Sequence, residues 1–218
     1  NDENEMPHSL KTSIMQFIIG IAKKVYNNKH LSKDGDAISM MIHPGGETSI
    51  EDENFSSHEN ILALVENYLN SLINIFEKKD QEKEKFDELL KLFLVIYKDL
   101  KSTDHLNESP LPDFQNLITS IEKSLYFIEI IEFNARSSRS IPNINWYSEG
   151  FARILVGGVG LGRGYTVEGL IVSYMCRNMS QQEDTSFQRA RFFGYPPKDK
   201  GLIRIWLTEH SIRSFEHL

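Results

Sequence analysis

The sequence predicts an α/β domain, a mostly parallel sheet with flanking helices, RecA-like in kind and with a helical insertion in its middle. Three observations carry this. The runs "DAISMMIHPGG", "YFIEIIEFN", "ARILVGG", "GLIVSYM" and "LIRIWLTE" are apolar at nearly every position instead of alternating, as parallel strands covered on both faces read. Stretches of helical period separate the first run from the others, and strands separated by helices indicate a parallel sheet. Glycine gathers after one run: six of the 13 glycines lie between Gly157 and Gly169.

The opening "SLKTSIMQFIIGIAKKVY" has apolar residues at helical spacing, with Ser9 as the expected cap. "ISMMIH" reads as a short buried strand, stopped by Pro44 and two glycines. The polar "ETSIEDENFSS" reads as a loop. Then "HENILALVENYLNSLINIF" puts Ile61, Leu62, Val65, Leu69, Leu72 and Phe76 on one helix face. A charged turn, "KKDQEKEK", leads to a second such helix, "FDELLKLFLVIYKDL". Pro110 and Pro112 open a third, "DFQNLITSIEKSL". These faces read as core, so residues 60–125 form an insertion within a single domain spanning 1–218. From Tyr126 the period becomes that of strands, and residues 126–218 supply the remaining core strands.

Composition sets limits on function. With 40% apolar and 25% charged residues the chain is an ordinary globular sequence. No apolar run has the length of a membrane span, so no membrane partner is expected. "NDENEMPHSLK" lacks the parts of a signal peptide. A single cysteine, Cys176, rules out an internal disulfide and a cysteine-cluster metal site, and a cytoplasmic location is expected. The net charge of −7 is uneven: residues 151–218 carry nine Lys/Arg against six Asp/Glu, while the first 150 carry 15 against 25. Seven of the nine arginines lie in that last third, and arginine is the residue for forked contacts to phosphate.

The run "ILVGGVGLGRGYTVEGL" places Arg163 between Gly162 and Gly164. It is not a P-loop, which needs glycine, four residues, then Gly-Lys and Ser or Thr. A dinucleotide fingerprint is a weak match, because the run lies near the end of the chain. After the next apolar run comes "EDTSFQRARFFGYPP", with Gln188, Arg189 and Arg191 inside four positions. A glycine-flanked arginine after one strand and Gln-Arg-x-Arg after the next resemble motifs V and VI of superfamily-two helicases.

Together "SMMIHPGG", "ILVGGVGLGRGYTVEGLIVSYM" and "DTSFQRARFFGY" resemble the Z-one domain family, also described as putative endonucleases. The resemblance covers the whole chain, and its specific part is about residues 152–207. It implies the second RecA-like lobe of a helicase-like ATPase belonging to a bacterial restriction or anti-phage system. It also implies ATP and Mg2+ as cofactors, held mainly by an upstream P-loop lobe that this chain lacks. DNA and other restriction-system proteins are the implied partners.

Carried over by position, Arg163 with Gly162 and Gly164 matches the motif V arginine. Thr166, Glu168 and Gly169 match Thr-x-Glu-Gly; Asp184, Thr185 and Gln188 match Asp-Thr-x-x-Gln. Arg191 stands at the arginine before the paired aromatics and is the implied finger, with Arg189 the second candidate. Gly162 stands where serine is usual, Arg189–Ala190 replaces a Met-Gly pair, and Pro196 replaces an arginine. The loop after His43 is enlarged. The end of the first strand and that loop offer His43, Gly45, Thr48, Ser57 and His58 as phosphate-backbone contacts, which position a nucleic acid without reading bases.

Other readings are weaker. His43 and His58 lack a third metal ligand, and Asp34 and Asp36 beside Gly35 lack the remaining calcium-loop positions. Trp206 reads as core, whereas Trp146 is open to base stacking. No compact carboxylate–lysine group suggests a nuclease. The rival to a motor lobe is a catalytically silent module docking DNA or protein.

Overall fold

A computed structural model of the chain describes residues 6–27, 37–43, 58–133, 144, 152–157, 167–175 and 198–216. One sheet contains β1 (Ile38–His43), β2 (Ile128–Phe133), β3 (Ala152–Gly157), β4 (Leu170–Met175) and β5 (Arg204–Trp206). Its order is β2-β3-β1-β4-β5, and each neighbouring pair is parallel. The expected fold class is the one the chain adopts, with three helices in sequence between β1 and β2.

The three central strands are buried at every position, the physical counterpart of runs that are apolar at nearly every residue. The edges differ. β2 leaves Glu129 and Glu132 in solvent, and β5 has three residues with Ile205 exposed. β5 is shorter than its apolar run suggested. Residues Lys200–Leu202 form a 3-10 turn in place of strand, and the carbonyl of Gly201 accepts the Thr103 hydroxyl at 2.7 Å.

The helices are α1 (His8–Asn27), α2 (His58–Glu77), α3 (Lys83–Ser102), α4 (Phe114–Leu125) and α5 (Glu209–Glu216). α1 packs on β1, β4 and β5, α2 on β2 and β3, and α3 and α4 lie over α1 and α2. Sandwiched between sheet and outer helices, α1 is buried at every residue from Ser13 to Lys23. A helix in that position must be apolar nearly all round, which Ile14, Phe17, Ile18, Ile19 and Ile21 supply. α3 buries one side only, through Leu89, Phe93, Ile96, Tyr97 and Leu100, and leaves Leu92 and Val95 exposed.

Ser9 is not the cap expected from sequence. The helix already includes His8, and the Ser9 hydroxyl hydrogen-bonds the Tyr174 hydroxyl at 2.8 Å. Its side chain is taken up by the sheet beneath, so it ties α1 to β4.

The sheet has two unlike faces. Side chains alternate along a strand, so Met40 and Ile42 of β1 and Ile154 and Val156 of β3 join the large core under the helices. Met41 and Leu155 point to the opposite face, into a smaller core with Val167, Leu170 and Met175.

Candidate functional site

The register aligns the carboxyl ends of four strands. Phe133 pairs with Gly157, Ile42 with Val156, and His43 with Met175. Ligands of open parallel sheets collect at this edge. From β1 the chain continues into the segment carrying Gly45, Thr48 and Ser57. From β3 it continues into Gly162, Arg163, Gly164 and Thr166, and from β4 into Asp184, Gln188, Arg189 and Arg191. All of these named residues lie outside the described residues, as do Asp34, Asp36, Trp146 and Tyr195.

What the sheet order adds is adjacency. β3 and β4 flank β1, so the strands that lead into the two arginine motifs end two strand spacings apart, roughly 10 Å. In sequence those two ends, Gly157 and Met175, are far apart. The sheet makes them neighbours across His43.

His43 closes the central strand and is 5% exposed. It shares its face with Met41 and Ser39, the face away from α1 and α2. On the β3 side Gly157 contributes no side chain, and on the β4 side Met175 is nearly buried. His58 is the first residue of α2, and its side chain lies outside the described residues.

Glu168 is placed elsewhere. It sits in the turn that enters β4, at the amino end of the sheet. Its carbonyl accepts the Ser39 hydroxyl at 2.7 Å, and the next carbonyl, Gly169, accepts the Ser39 N–H at 2.8 Å. Strand β4 separates Glu168 from the carboxyl edge by about 17 Å, the length of six strand residues. His43 and Glu168 are therefore not brought together, and the shown role of Glu168 is to anchor a turn through its backbone.

The face carrying His43 also holds polar groups that the unbroken apolar reading of the strands passed over. Ser39, Ser173 and Arg153 are all at least 98% buried. Arg153 pairs with Glu129 on β2 at 3.3 Å, and Ser39 is its register partner on β1. The Ser173 hydroxyl is buried with no hydrogen-bond partner, one same-face position below Met175. Buried polar atoms are ordinarily paired, so such a hydroxyl is a cost to the fold. The sequence signal was present: single polar residues interrupting "ARILVG" and "LIVSYM" at positions facing one side. Only the register shows that they share a face with His43.

Among the described residues no group of three or more His, Cys, Asp or Glu could hold a metal ion. No helix among them is long and apolar enough to cross a membrane. The sequence contains no P-loop.

The family model of the Z1 domain matches residues 9–218. Among curated proteins and among solved structures nothing matches the chain.

Proposed function

Because the chain belongs to the Z1 domain family, we propose that it is the second RecA-like lobe of an ATP-dependent nucleic-acid motor of a bacterial restriction or anti-phage system. In this reading ATP and Mg2+ are held by a separate P-loop lobe. This chain contributes Arg191, assisted by Arg163, Gln188 and Arg189, toward the transferring phosphoryl group. ATP supplies the phosphoanhydride whose hydrolysis drives the motor. The chain's own part is positive charge delivered where negative charge develops, the largest single electrostatic lever in such reactions. Gly162 and Gly164 beside Arg163 let backbone amides approach phosphate without side-chain hindrance.

The observation that carries this reading is the strand order. The segments bearing the two arginine motifs begin at β3 and β4, which end on the same sheet edge either side of β1. That arrangement suits two arginines acting on one anion.

The test is DNA-stimulated ATP hydrolysis by the domain together with its P-loop lobe, wild type against Arg191→Ala. Removing a finger is expected to lower kcat by about 10³-fold or more while ATP affinity is largely kept. Unchanged turnover in Arg191→Ala and in Arg189→Ala would sink the finger assignment and favour a silent docking module.

A further inference from the structure

The helical insertion between β1 and β2 reaches across to the last strand of the sheet. Where α3 ends, at Asp99 and Thr103, it holds residues 201–204 through several bonds. The Thr103 hydroxyl donates to the Gly201 carbonyl at 2.7 Å. Arg204 Nε donates to Asp99 Oδ2 at 2.8 Å, and Nη2 donates to the Asp99 carbonyl and the Thr103 hydroxyl, both at 3.1 Å. Gly201 lies so close to the Thr103 carbonyl that no Cβ fits between them.

The sheet alone gives this region a slight hold. β5 has three residues, paired with β4 along one edge through Val172, Ser173 and Tyr174. The Arg204 side chain is 18% exposed, so its bonds to the end of α3 are largely sheltered from water, and bonds from an ionised donor are the strong ones. The Thr103 hydroxyl stands at the centre of the junction. It accepts from Arg204 and donates to Gly201, and so joins β5 and the turn before it to one point of the insertion.

The hold bears on what precedes it in the chain. Residues 176–197, which carry Gln188, Arg189 and Arg191, are joined covalently to the described fold at Met175 of β4 and at Lys198. Arg191 stands sixteen residues after Met175 and eight before Asp199. The end that the insertion holds is therefore the nearer of the two in sequence. A group acting on a transition state tolerates little displacement, since a shift of about 1 Å costs on the order of 10²-fold in rate.

We propose that Thr103 is a positioning residue for the arginine motif: the insertion fixes, at Gly201 and Arg204, the end of the connection that carries Arg191. The inference rests on the motor-lobe reading above. In it the insertion is a support for the arginine finger and not an independent module, and Thr103 acts without touching ATP.

The test is DNA-stimulated ATP hydrolysis by the domain with its P-loop lobe, in a double-mutant cycle of Thr103→Val with Arg191→Ala. Valine keeps the branched shape and removes the hydroxyl. Thr103→Val is expected to lower kcat about tenfold with KM for ATP unchanged, and Thr103→Ser to restore it. Thr103→Val is expected to add nothing once Arg191→Ala is present, the coupling that a shared task produces. An unchanged kcat in Thr103→Val, or the same fold loss with and without Arg191→Ala, would overturn the proposal while leaving the motor-lobe reading in place. A wild type without DNA-stimulated hydrolysis, or an Arg191→Ala without effect, would sink the reading on which the inference rests, and the inference with it.

Discussion

The Lys23 ammonium donates to Asp199 Oδ1 at 2.6 Å, and the lysine side chain is fully removed from solvent. Lys23 belongs to the deepest helix, α1, and Asp199 opens the turn that leads into β5. One ion pair therefore secures the last strand to the innermost helix across 176 residues of sequence. The two partners are unequal, because Asp199 keeps 18% exposure.

That inequality sets the first prediction. Asp199→Ala leaves a buried ammonium without its counter-ion and is expected to destabilise the fold by about 3–5 kcal/mol. Lys23→Met removes the buried charge itself and leaves a carboxylate that reaches water, so a loss of about 1–2 kcal/mol is expected. Urea denaturation of both variants is the measurement. Equal losses would mean that the contact, and not the stranded charge, dominates.

Gly169 has φ +65° among non-positive neighbours, and a Cβ there would overlap the Ala37 carbonyl. Gly169→Ala is therefore expected to cost about 1–3 kcal/mol from backbone strain, with the overlap in addition. Thermal unfolding would show it as a lower Tm. Gly201→Ala is expected to destabilise by steric means alone, since its Cβ would collide with the Thr103 carbonyl.

Asp104 ties the end of α3 to the approach to α4. Partial burial alone would raise its pKa. Bonds from Lys101 Nζ at 2.6 Å, Asn107 Nδ2 at 2.9 Å and the Leu111 N–H at 2.7 Å outweigh that and hold it below its ordinary value of 3.8. A depressed carboxylate stabilises the fold above its unfolded pKa and loses that contribution as pH falls through its folded pKa. The expected outcome is that wild-type stability drops below about pH 4, and that Asp104→Asn is less stable at neutral pH with a shallower acid limb. Denaturation midpoints from pH 7 to pH 2 would show it; identical acid limbs would argue against the linkage.

The 218-residue chain by itself is expected to show no ATP turnover, because it carries no P-loop to hold the triphosphate. Adding the P-loop lobe is expected to create DNA-stimulated hydrolysis that neither part has alone. A phosphate-release assay on the purified chain decides this, and turnover that survives a change of purification scheme would defeat the half-site proposal.

The α/β class was legible because it rests on periodicity. Strands buried on both faces show as runs apolar at nearly every residue, and "ISMMIH", "ARILVG" and "LIVSYM" are the three central strands. The helices between β1 and β2 were legible for the same reason: apolar stripes mark the faces that α2 and α4 bury, while α3 buries one face and also leaves Leu92 and Val95 in solvent. Ser9 misled because capping is a local rule, and a tertiary partner, Tyr174, took its hydroxyl. The length of β5 was overread, since an apolar run does not reveal where neighbouring turns interrupt it. Of the candidate site, the motif residues are proposed from pattern and family resemblance, and most lie outside the described residues.

The sequence by itself thus determined the class of fold, the identity of the core strands and membership of the Z1 domain family. Hydrophobic period and short motifs are local quantities, written within a few turns or one strand. Strand order was decided only by the tertiary structure. It makes β3 and β4 the flanks of β1, puts Glu168 at the far end from His43, gathers Ser39, Arg153 and Ser173 on one hidden face, and leaves Val95 in solvent beside β5. These are relations between residues remote in sequence, set by which surfaces bury against one another, and no local pattern encodes them.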